Sequence, residues 1–363
     1  MVFVYLLIGA LCLYQIKFFR CKADGVDSSL IYDDYMSVAS TTSVKGIFII
    51  MIVFSHIYLS MSLDNSIIFN SLYKAITYNI IDQSVVVMFF FYSGYALMYQ
   101  RNKNGLDYVK SMPSKRILKT FLHFDMFVLL FLIVQLLLGH RYSASQIVLS
   151  FIGWDSFGNQ NWYIFIILIL YLFTYFAFMI SRKNDKPAIA MVAVLTAAMV
   201  LILMQSQRRY WWDTAMCYPL GMVYYLIREK AEAFMNKKKI NYYISLFVSV
   251  VCTVAFLGLY YFAGRNPFAM ILKNMAFAIF ILLVTMKVKI SNPILNFCGK
   301  NLFLIYIIHM LPIIVLNHFS IAQKPILFIV LTWVCTIVLT VLSAKLLKVI
   351  DNAVFKNKKS LIK

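Results

Sequence analysis

The chain alternates long apolar runs with short segments that hold most of its charged residues. Runs of roughly 17–25 apolar residues match the length of a helix that crosses a lipid bilayer. The pattern therefore predicts an all-α polytopic membrane protein with about eleven membrane-spanning helices. The predicted spans are 2–19, 44–62, 79–99, 116–138, 161–181, 187–205, 211–227, 242–263, 268–286, 301–319 and 325–347.

The predicted helices divide the chain into three parts. Residues 1–43 are expected to form an N-terminal anchor helix and a cytoplasmic linker, residues 44–347 the membrane domain, and residues 348–363 a basic cytoplasmic tail. The weakest predicted span is 211–227, because it is short and begins with Trp211-Trp212-Asp213. The sequence shows no internal repeat, so a single membrane domain is expected.

The composition narrows the class of protein further. Hydrophobic residues make up 62% of the chain and charged residues 13%, whereas an average soluble domain has about 25% charged residues. A soluble protein of 363 residues has too little interior to bury so much apolar surface. The composition excludes a soluble globular enzyme, a disordered protein and a fibrous repeat.

The distribution of basic residues predicts the orientation. The net charge is +20, and 27 of the 34 lysines and arginines fall on one side of the predicted membrane. Because basic residues concentrate on the cytoplasmic side, this bias predicts an external N-terminus and a cytoplasmic C-terminus. Because this bias accounts for the positive net charge, no nucleic-acid partner is expected.

Two of the five histidines, His56 and His309, fall deep inside strongly apolar runs. An ionisable residue inside the membrane is a functional hypothesis by default, although a neutral histidine bonded to a nearby carbonyl is the alternative. Lys45 precedes His56 by eleven residues, which is roughly 16 Å along one helix face. Both histidines are predicted at similar depth, so a shared polar site is geometrically possible.

Other catalytic chemistry finds little support in the residue inventory. Asp125 is the only carboxylate well inside a predicted span, which argues against catalysis by a pair of carboxylates. The six cysteines and five histidines lack the spacing of a zinc site, so no metal is expected.

Four blocks of sequence carry a family resemblance. They read Lys45-(x₁₀)-His56, Met88-Phe89-Phe90-Phe91-Tyr92-Ser93-Gly94-Tyr95, Ser114-Lys115-Arg116-Ile117-Leu118-Lys119 and Gly299-Lys300-Asn301-Leu302-Phe303-Leu304-Ile305-Tyr306-Ile307-Ile308-His309. In this order they resemble the motifs of the acyltransferase-3 family of integral membrane O-acyltransferases, and Asn161-Trp162-Tyr163 is similar to a helix start in that family. The chain has Lys45 and Lys119 where the family usually has arginine.

The resemblance implies transfer of an acyl group, most often acetyl from acetyl-CoA, to a sugar hydroxyl of a cell-envelope or exported polysaccharide. It implies His56 as the general base, with Lys45 and His309 completing the catalytic group. Acyl-CoA is then a co-substrate, no bound cofactor is expected, and the expected location is the plasma membrane of a bacterium. The implied contacts to substrate and acyl-CoA are Arg116, Lys119, Ser93, Gly94, Trp162 and Tyr306.

Several of these residues have a structural alternative. Ser93-Gly94 could be a closely packed helix end, and Tyr306 and His309 could form a hydrogen-bonded pair three residues apart. The basic segments could act only to orient the protein in the membrane. A further hypothesis is an inner polar group that joins His123 or Asp125 to Arg116 or Lys119.

Two other functions stay open, a flippase or exporter of a lipid-linked glycan and a glycan polymerase. A transporter predicts paired halves with helices broken by glycine or proline and with charges at the membrane midplane. A polymerase predicts a long outer loop, whereas the longest predicted outer loop is about 139–160.

Overall fold

The protein is almost entirely helical in the computed structural model, which describes residues 3–18, 30–61, 68–182 and 184–353. The α-helices are α1 (Phe3–Leu13), α2 (Val38–Ser60), α3 (Ile68–Lys74), α4 (Val87–Met112), α5 (Lys119–Leu137), α6 (Ala144–Phe151), α7 (Trp162–Ser181), α8 (Asp185–Ser206), α9 (Cys217–Lys237), α10 (Lys239–Phe262), α11 (Pro267–Lys287), α12 (Pro293–Lys300), α13 (Leu302–Ile308), α14 (Met310–His318) and α15 (Pro325–Asp351). Turns of π-helix occupy Ala75–Ile81 and Pro113–Leu118, and 3₁₀ turns occupy Asp82–Val86, Arg209–Trp211 and Ile321–Gln323. Strands β1 (Lys17–Phe18) and β2 (Val288–Lys289) form one short antiparallel pair.

Long apolar helices make this a polytopic all-α membrane protein. Among the described residues, seven helical stretches are long and apolar enough to cross a membrane, and α12 to α14, bent by 72°, would make an eighth. The seven stretches are Val38–Ser60, Asn70–Leu137, Trp162–Ser181, Asp185–Ser206, Lys239–Phe262, Pro267–Lys287 and Pro325–Asp351. Eleven spans and the external N-terminus stay predictions.

Four predicted spans differ from the structure. The helical stretch Asn70–Leu137, which includes irregular turns, contains 79–99 and all of 116–138 except its last residue. In place of 211–227, α9 begins at Cys217 and continues to Lys237 through a charged second half. The first predicted span, 2–19, is replaced by the 11 residues of α1.

The length of α1 falls short of a full span. Its 11 residues rise about 16 Å, which is roughly half the thickness of the hydrocarbon core. The helix ends before Gln15, whose φ of 61° lies in the left-handed region, and the chain then enters β1. The predicted linker also contains the start of α2, which begins at Val38 behind the capping residue Ser37.

Glycines hold two helix pairs in close contact. A β-carbon on Gly299 would lie 1.9 Å from the carbonyl oxygen of Thr42, and one on Gly46 would lie 2.1 Å from that of Leu295. These contacts press α12 against α2, the helix that carries His56. Gly221 makes the same kind of approach from α9 to the Phe91 carbonyl on α4. Small residues allow this close backbone contact between membrane helices.

We expect Gly299→Ala to lower the free energy of unfolding by about 1–3 kcal/mol, because the added methyl group forces the two backbones apart. Gly258→Ala is the matched control, since the nearest atom to a β-carbon there belongs to the Phe262 side chain at 3.9 Å. Thermal unfolding of the detergent-purified variants measures the difference. Equal stability of the two variants would contradict the packing described for α2 and α12.

An irregular segment separates α3 from α4. The π-helical turn Ala75–Ile81 changes to a 3₁₀ turn at Asp82, whose φ of 48° and ψ of −130° are unusual for a residue other than glycine. Such conformations cost roughly 1–3 kcal/mol and persist only where the surroundings impose them. This break lies on the wall of a cavity of about 470 Å³.

Candidate active site

A cavity of about 470 Å³ opens where the end of α2, the irregular segment 75–86 and the junction of α13 and α14 meet. Its wall combines aliphatic, aromatic and polar side chains. The lining residues are Ile52, Ser55, His56, Leu59, Ser60, Thr77, Tyr78, Asp82, Gln83, Val85, Val86, Gln160, Trp162, Tyr210, Tyr306 and Met310. Among these residues, His56 is the only histidine and Asp82 the only carboxylate.

The two predicted histidines lie next to each other. The ring centroids of His56 and His309 are 5.1 Å apart, with 47° between the ring planes. The His56 ring lines the cavity, and no hydrogen bond joins it to a described residue. His309 is completely buried beside it.

A backbone contact fixes the protonation of His309. Its Nδ1 lies 3.0 Å from the Ile305 carbonyl oxygen, which can only accept, so Nδ1 carries the proton and donates. The other nitrogen, Nε2, is buried and has no hydrogen-bond partner among the described residues. His309 therefore holds an unprotonated nitrogen in the neutral ring, close to His56.

Tyr306 separates two cavities. It lines the 470 Å³ cavity and also a second cavity of about 140 Å³, which Thr120, Tyr163 and Tyr171 line from other helices. The rings of Tyr306 and Tyr163 lie 5.3 Å apart. The buried Tyr306 hydroxyl forms no hydrogen bond with His309, so the predicted hydrogen bond between these two residues is wrong. Their ring centroids are 6.2 Å apart.

Trp162 is the other predicted contact that reaches the large cavity. Its ring lies 5.8 Å from Tyr210, which lines the same wall. Aromatic rings on a cavity wall suit the apolar face of a sugar ring.

Gly94 is a packing residue in the structure. A β-carbon there would lie 2.0 Å from the Tyr218 carbonyl oxygen on α9, so Gly94 lets α4 approach that helix. This agrees with the packing alternative for Ser93-Gly94. Ser93 is half-buried, and it lines neither of the two cavities.

The predicted basic residues lie away from the large cavity, near the beginning of α5. Lys119 pairs with Asp351 at the end of α15, with 2.6 Å between Nζ and Oδ2. His123 Nε2 lies 2.8 Å from the other oxygen of the same carboxylate. The predicted inner polar group is thus confirmed for His123 and Lys119, but they are joined through Asp351 and do not pair directly. Asp125 Oδ1 has no hydrogen-bond partner among the described residues.

Arg116 and Lys45 are differently placed. The Arg116 guanidinium lies 5.9 Å from the centre of the Tyr108 ring, and no described carboxylate pairs with it. Lys45 is half-buried on α2, forms no ion pair within the described ranges, and lines neither of these cavities. Neither cation is paired with a carboxylate of a described residue.

A buried charge cluster beside the cavity was not expected from the sequence. Arg209 forms an ion pair with Asp82 and lies 3.8 Å from the Asp213 carboxylate. Lys273 donates to the Ser84 hydroxyl at 2.5 Å and to the Ile81 carbonyl at 3.1 Å. The four charged residues come from three separate parts of the chain, and only Arg209 and Asp213 are close in sequence. No local pattern therefore predicts the whole cluster.

Burial dominates the electrostatics of this cluster. Asp213 is fully buried, and desolvation together with the neighbouring Asp82 carboxylate raises its pKa. Asn274 ties the cluster to the backbone, since its side-chain amide donates to the Asp213 carbonyl at 3.1 Å. Within the described ranges, no group of three or more His, Cys, Asp or Glu residues could hold a metal ion.

The comparison with known families decides the class of protein. A family model described as "Acyltransferase domain" matches residues 39–345. The chain belongs to the acyltransferase-3 family. This confirms the resemblance seen in the sequence motifs, and it makes the protein a membrane acyltransferase. No curated protein and no solved structure matches the chain.

Proposed function

We propose that this membrane acyltransferase moves an acyl group, most directly acetyl from acetyl-CoA, to a sugar hydroxyl of a cell-envelope or exported polysaccharide. The observation that carries the proposal is the His56 ring on the wall of the 470 Å³ cavity, with the His309 ring 5.1 Å away. The proposed setting is the plasma membrane of a bacterium, with an external N-terminus.

In this proposal His56 is the general base. Its unprotonated nitrogen takes the proton of the acceptor hydroxyl while the hydroxyl oxygen attacks the thioester carbonyl carbon. The new C–O bond forms, the C–S bond breaks, and CoA leaves as a thiol after His56 returns the proton. The products are the sugar ester and free CoA, and His56 ends in its starting state.

His309 is proposed to position the base. Its Nδ1 is committed to the Ile305 carbonyl, so its unpartnered Nε2 is an acceptor. An N–H of His56 that turns toward this nitrogen leaves the other His56 nitrogen free for the acceptor hydroxyl. Tyr306 lines the same cavity, and its hydroxyl is proposed to donate a hydrogen bond to the thioester oxygen as negative charge develops there.

The donor is proposed to enter from the end of the bundle that holds Arg116, the predicted cytoplasmic end. Arg116 has no carboxylate partner among the described residues, and an arginine binds a phosphate through two parallel hydrogen bonds. Thr120 lines the 140 Å³ cavity that leads to Tyr306. We propose that the narrow arm of CoA follows this cavity while the sugar occupies the large one, beside Trp162.

Transfer of radiolabelled acetyl from acetyl-CoA to glycan tests the proposal. We expect protein in reconstituted vesicles to place alkali-labile label on the deacylated envelope glycan of the same cells, and to release CoA in equal amount. Unlabelled glycan, together with loss of glycan export from cells that lack the protein, would replace the proposal with a transport function.

A further inference from the structure

Asp82 places a carboxylate on the wall of the large cavity that His56 also lines. Its side chain is only 10% exposed, and it also lines a further cavity of about 20 Å³. The residue lies where the π-helical turn ends, with a φ of 48° that non-glycine residues rarely adopt. The fold therefore keeps a charged side chain at this point against a conformational cost.

Neighbouring cations hold this carboxylate in place. Arg209 forms an ion pair with Asp82 Oδ2, and the Arg209 guanidinium lies 5.4 Å from the centre of the Tyr260 ring. Lys273 fixes the preceding residue by donating to the Ile81 carbonyl at 3.1 Å. No hydrogen bond joins Asp82 Oδ1 to a described residue. One oxygen is thus oriented by the ion pair, while the other is available to a ligand.

The charges around Asp82 indicate which ligand fits. Asp82 is already paired with Arg209, and Lys273 lies against the same segment, so the charge of Asp82 is met within the protein. The carboxylate therefore does not require a cationic ligand. An ionised carboxylate can only accept hydrogen bonds, so the matching ligand group is a neutral hydroxyl.

The remaining wall agrees with a polyhydroxylated ligand. Gln83 and Gln160 add amide donors and acceptors, and Trp162 and Tyr210 add aromatic surface. We infer that Asp82 binds the acceptor, by accepting a hydrogen bond from a sugar hydroxyl next to the one that is acylated. This inference rests on the proposed function, which it deepens by naming the residue that selects the acceptor.

Kinetics against donor and acceptor separately test the inference. The probes are acetyl-CoA and the deacylated envelope glycan, quantified as hexose. We expect Asp82→Asn to raise the half-saturating glycan concentration about 10- to 100-fold, because a charged hydrogen bond is lost. The half-saturating acetyl-CoA concentration should stay within about twofold, since a purely structural defect would move both.

Two variants make the test decisive. Asp125→Asn is the matched control. Asp125 is also a half-buried carboxylate on a membrane helix, but it lines neither the 470 Å³ cavity nor the 140 Å³ cavity. Asp82→Glu keeps the charge for Arg209 but displaces the oxygen, and should show the same split between donor and acceptor if Asp82→Asn fails to fold.

The results separate failure of this inference from failure of the proposed function. Wild-type glycan saturation in a folded Asp82 variant, or an equal rise for donor and acceptor, would overturn the role of Asp82 while leaving acyl transfer intact. A wild-type protein that acylates no glycan would overturn the proposed function itself, and the assignment of Asp82 with it.

Discussion

Replacement of His56 by glutamine is expected to lower kcat for acyl transfer by about 10²- to 10⁴-fold. Glutamine keeps a polar side chain of similar length but cannot take up a proton at neutral pH. The KM for acetyl-CoA should change little, because His56 lies on the cavity wall, roughly 16 Å along α2 from Lys45. Initial rates of CoA release and of glycan labelling measure both parameters.

His318→Gln is the control for this prediction, because His318 is exposed at the end of α14 and should be neutral. His309→Gln should lower kcat less than His56→Gln does, if His309 acts only by positioning its neighbour. Full activity of His56→Gln together with an inactive but folded His309→Gln would make His309 the base instead.

Replacement of Arg116 by alanine is expected to raise the KM for acetyl-CoA about 10- to 100-fold, because a charge-assisted contact to a CoA phosphate is lost. Lys119→Ala should have a smaller effect, since the Lys119 ammonium already pairs with Asp351 at 2.6 Å. Lys115→Ala is the control, because Lys115 is an exposed neighbour on the same turn.

Equal KM values for Arg116→Ala and Lys115→Ala would mean that Arg116 serves only to orient the protein in the membrane. That result would contradict the proposed donor route. Lys119→Arg should behave as the wild type, because arginine keeps both the charge and the reach to Asp351. A large effect of Lys119→Ala with none for Arg116→Ala would place the phosphate site at Lys119, which pairs with Asp351, instead of at Arg116.

The meeting of His56 and His309 shows what the sequence could predict. Each histidine lies in a long apolar run, and helical geometry alone predicts that both reach a similar depth. The family motifs pointed to the same two residues, and the structure places their rings 5.1 Å apart. The depth of each histidine could be predicted because it depends only on the apolar run and the regular helix that contain it.

The partners of the charged residues could not be predicted in the same way. Asp351 contacts Lys119 and His123 across more than 220 positions of sequence. Its only local signal is that it is the one acidic residue in the predicted basic tail 348–363. Pairing of this kind depends on which helices pack together, and hydropathy does not encode that choice.

The backbone conformation around Asp82 could not be predicted, for a different reason. The apolar pattern of 79–99 predicts one regular helix, whereas the chain there passes through a π-helical and a 3₁₀ turn. The break depends on Arg209 and Lys273, which lie more than 120 residues away. Tertiary contacts override local preference at this point, as is common at functional sites.

The most direct test of the central claim is a structure of the protein with a non-reactive thioether analogue of acetyl-CoA. We expect the phosphates beside Arg116 and the acyl carbon in the 470 Å³ cavity, within reach of a hydroxyl that contacts His56. An analogue whose acyl carbon lies outside this cavity, with His56 unchanged from the structure described above, would contradict acyl transfer at His56.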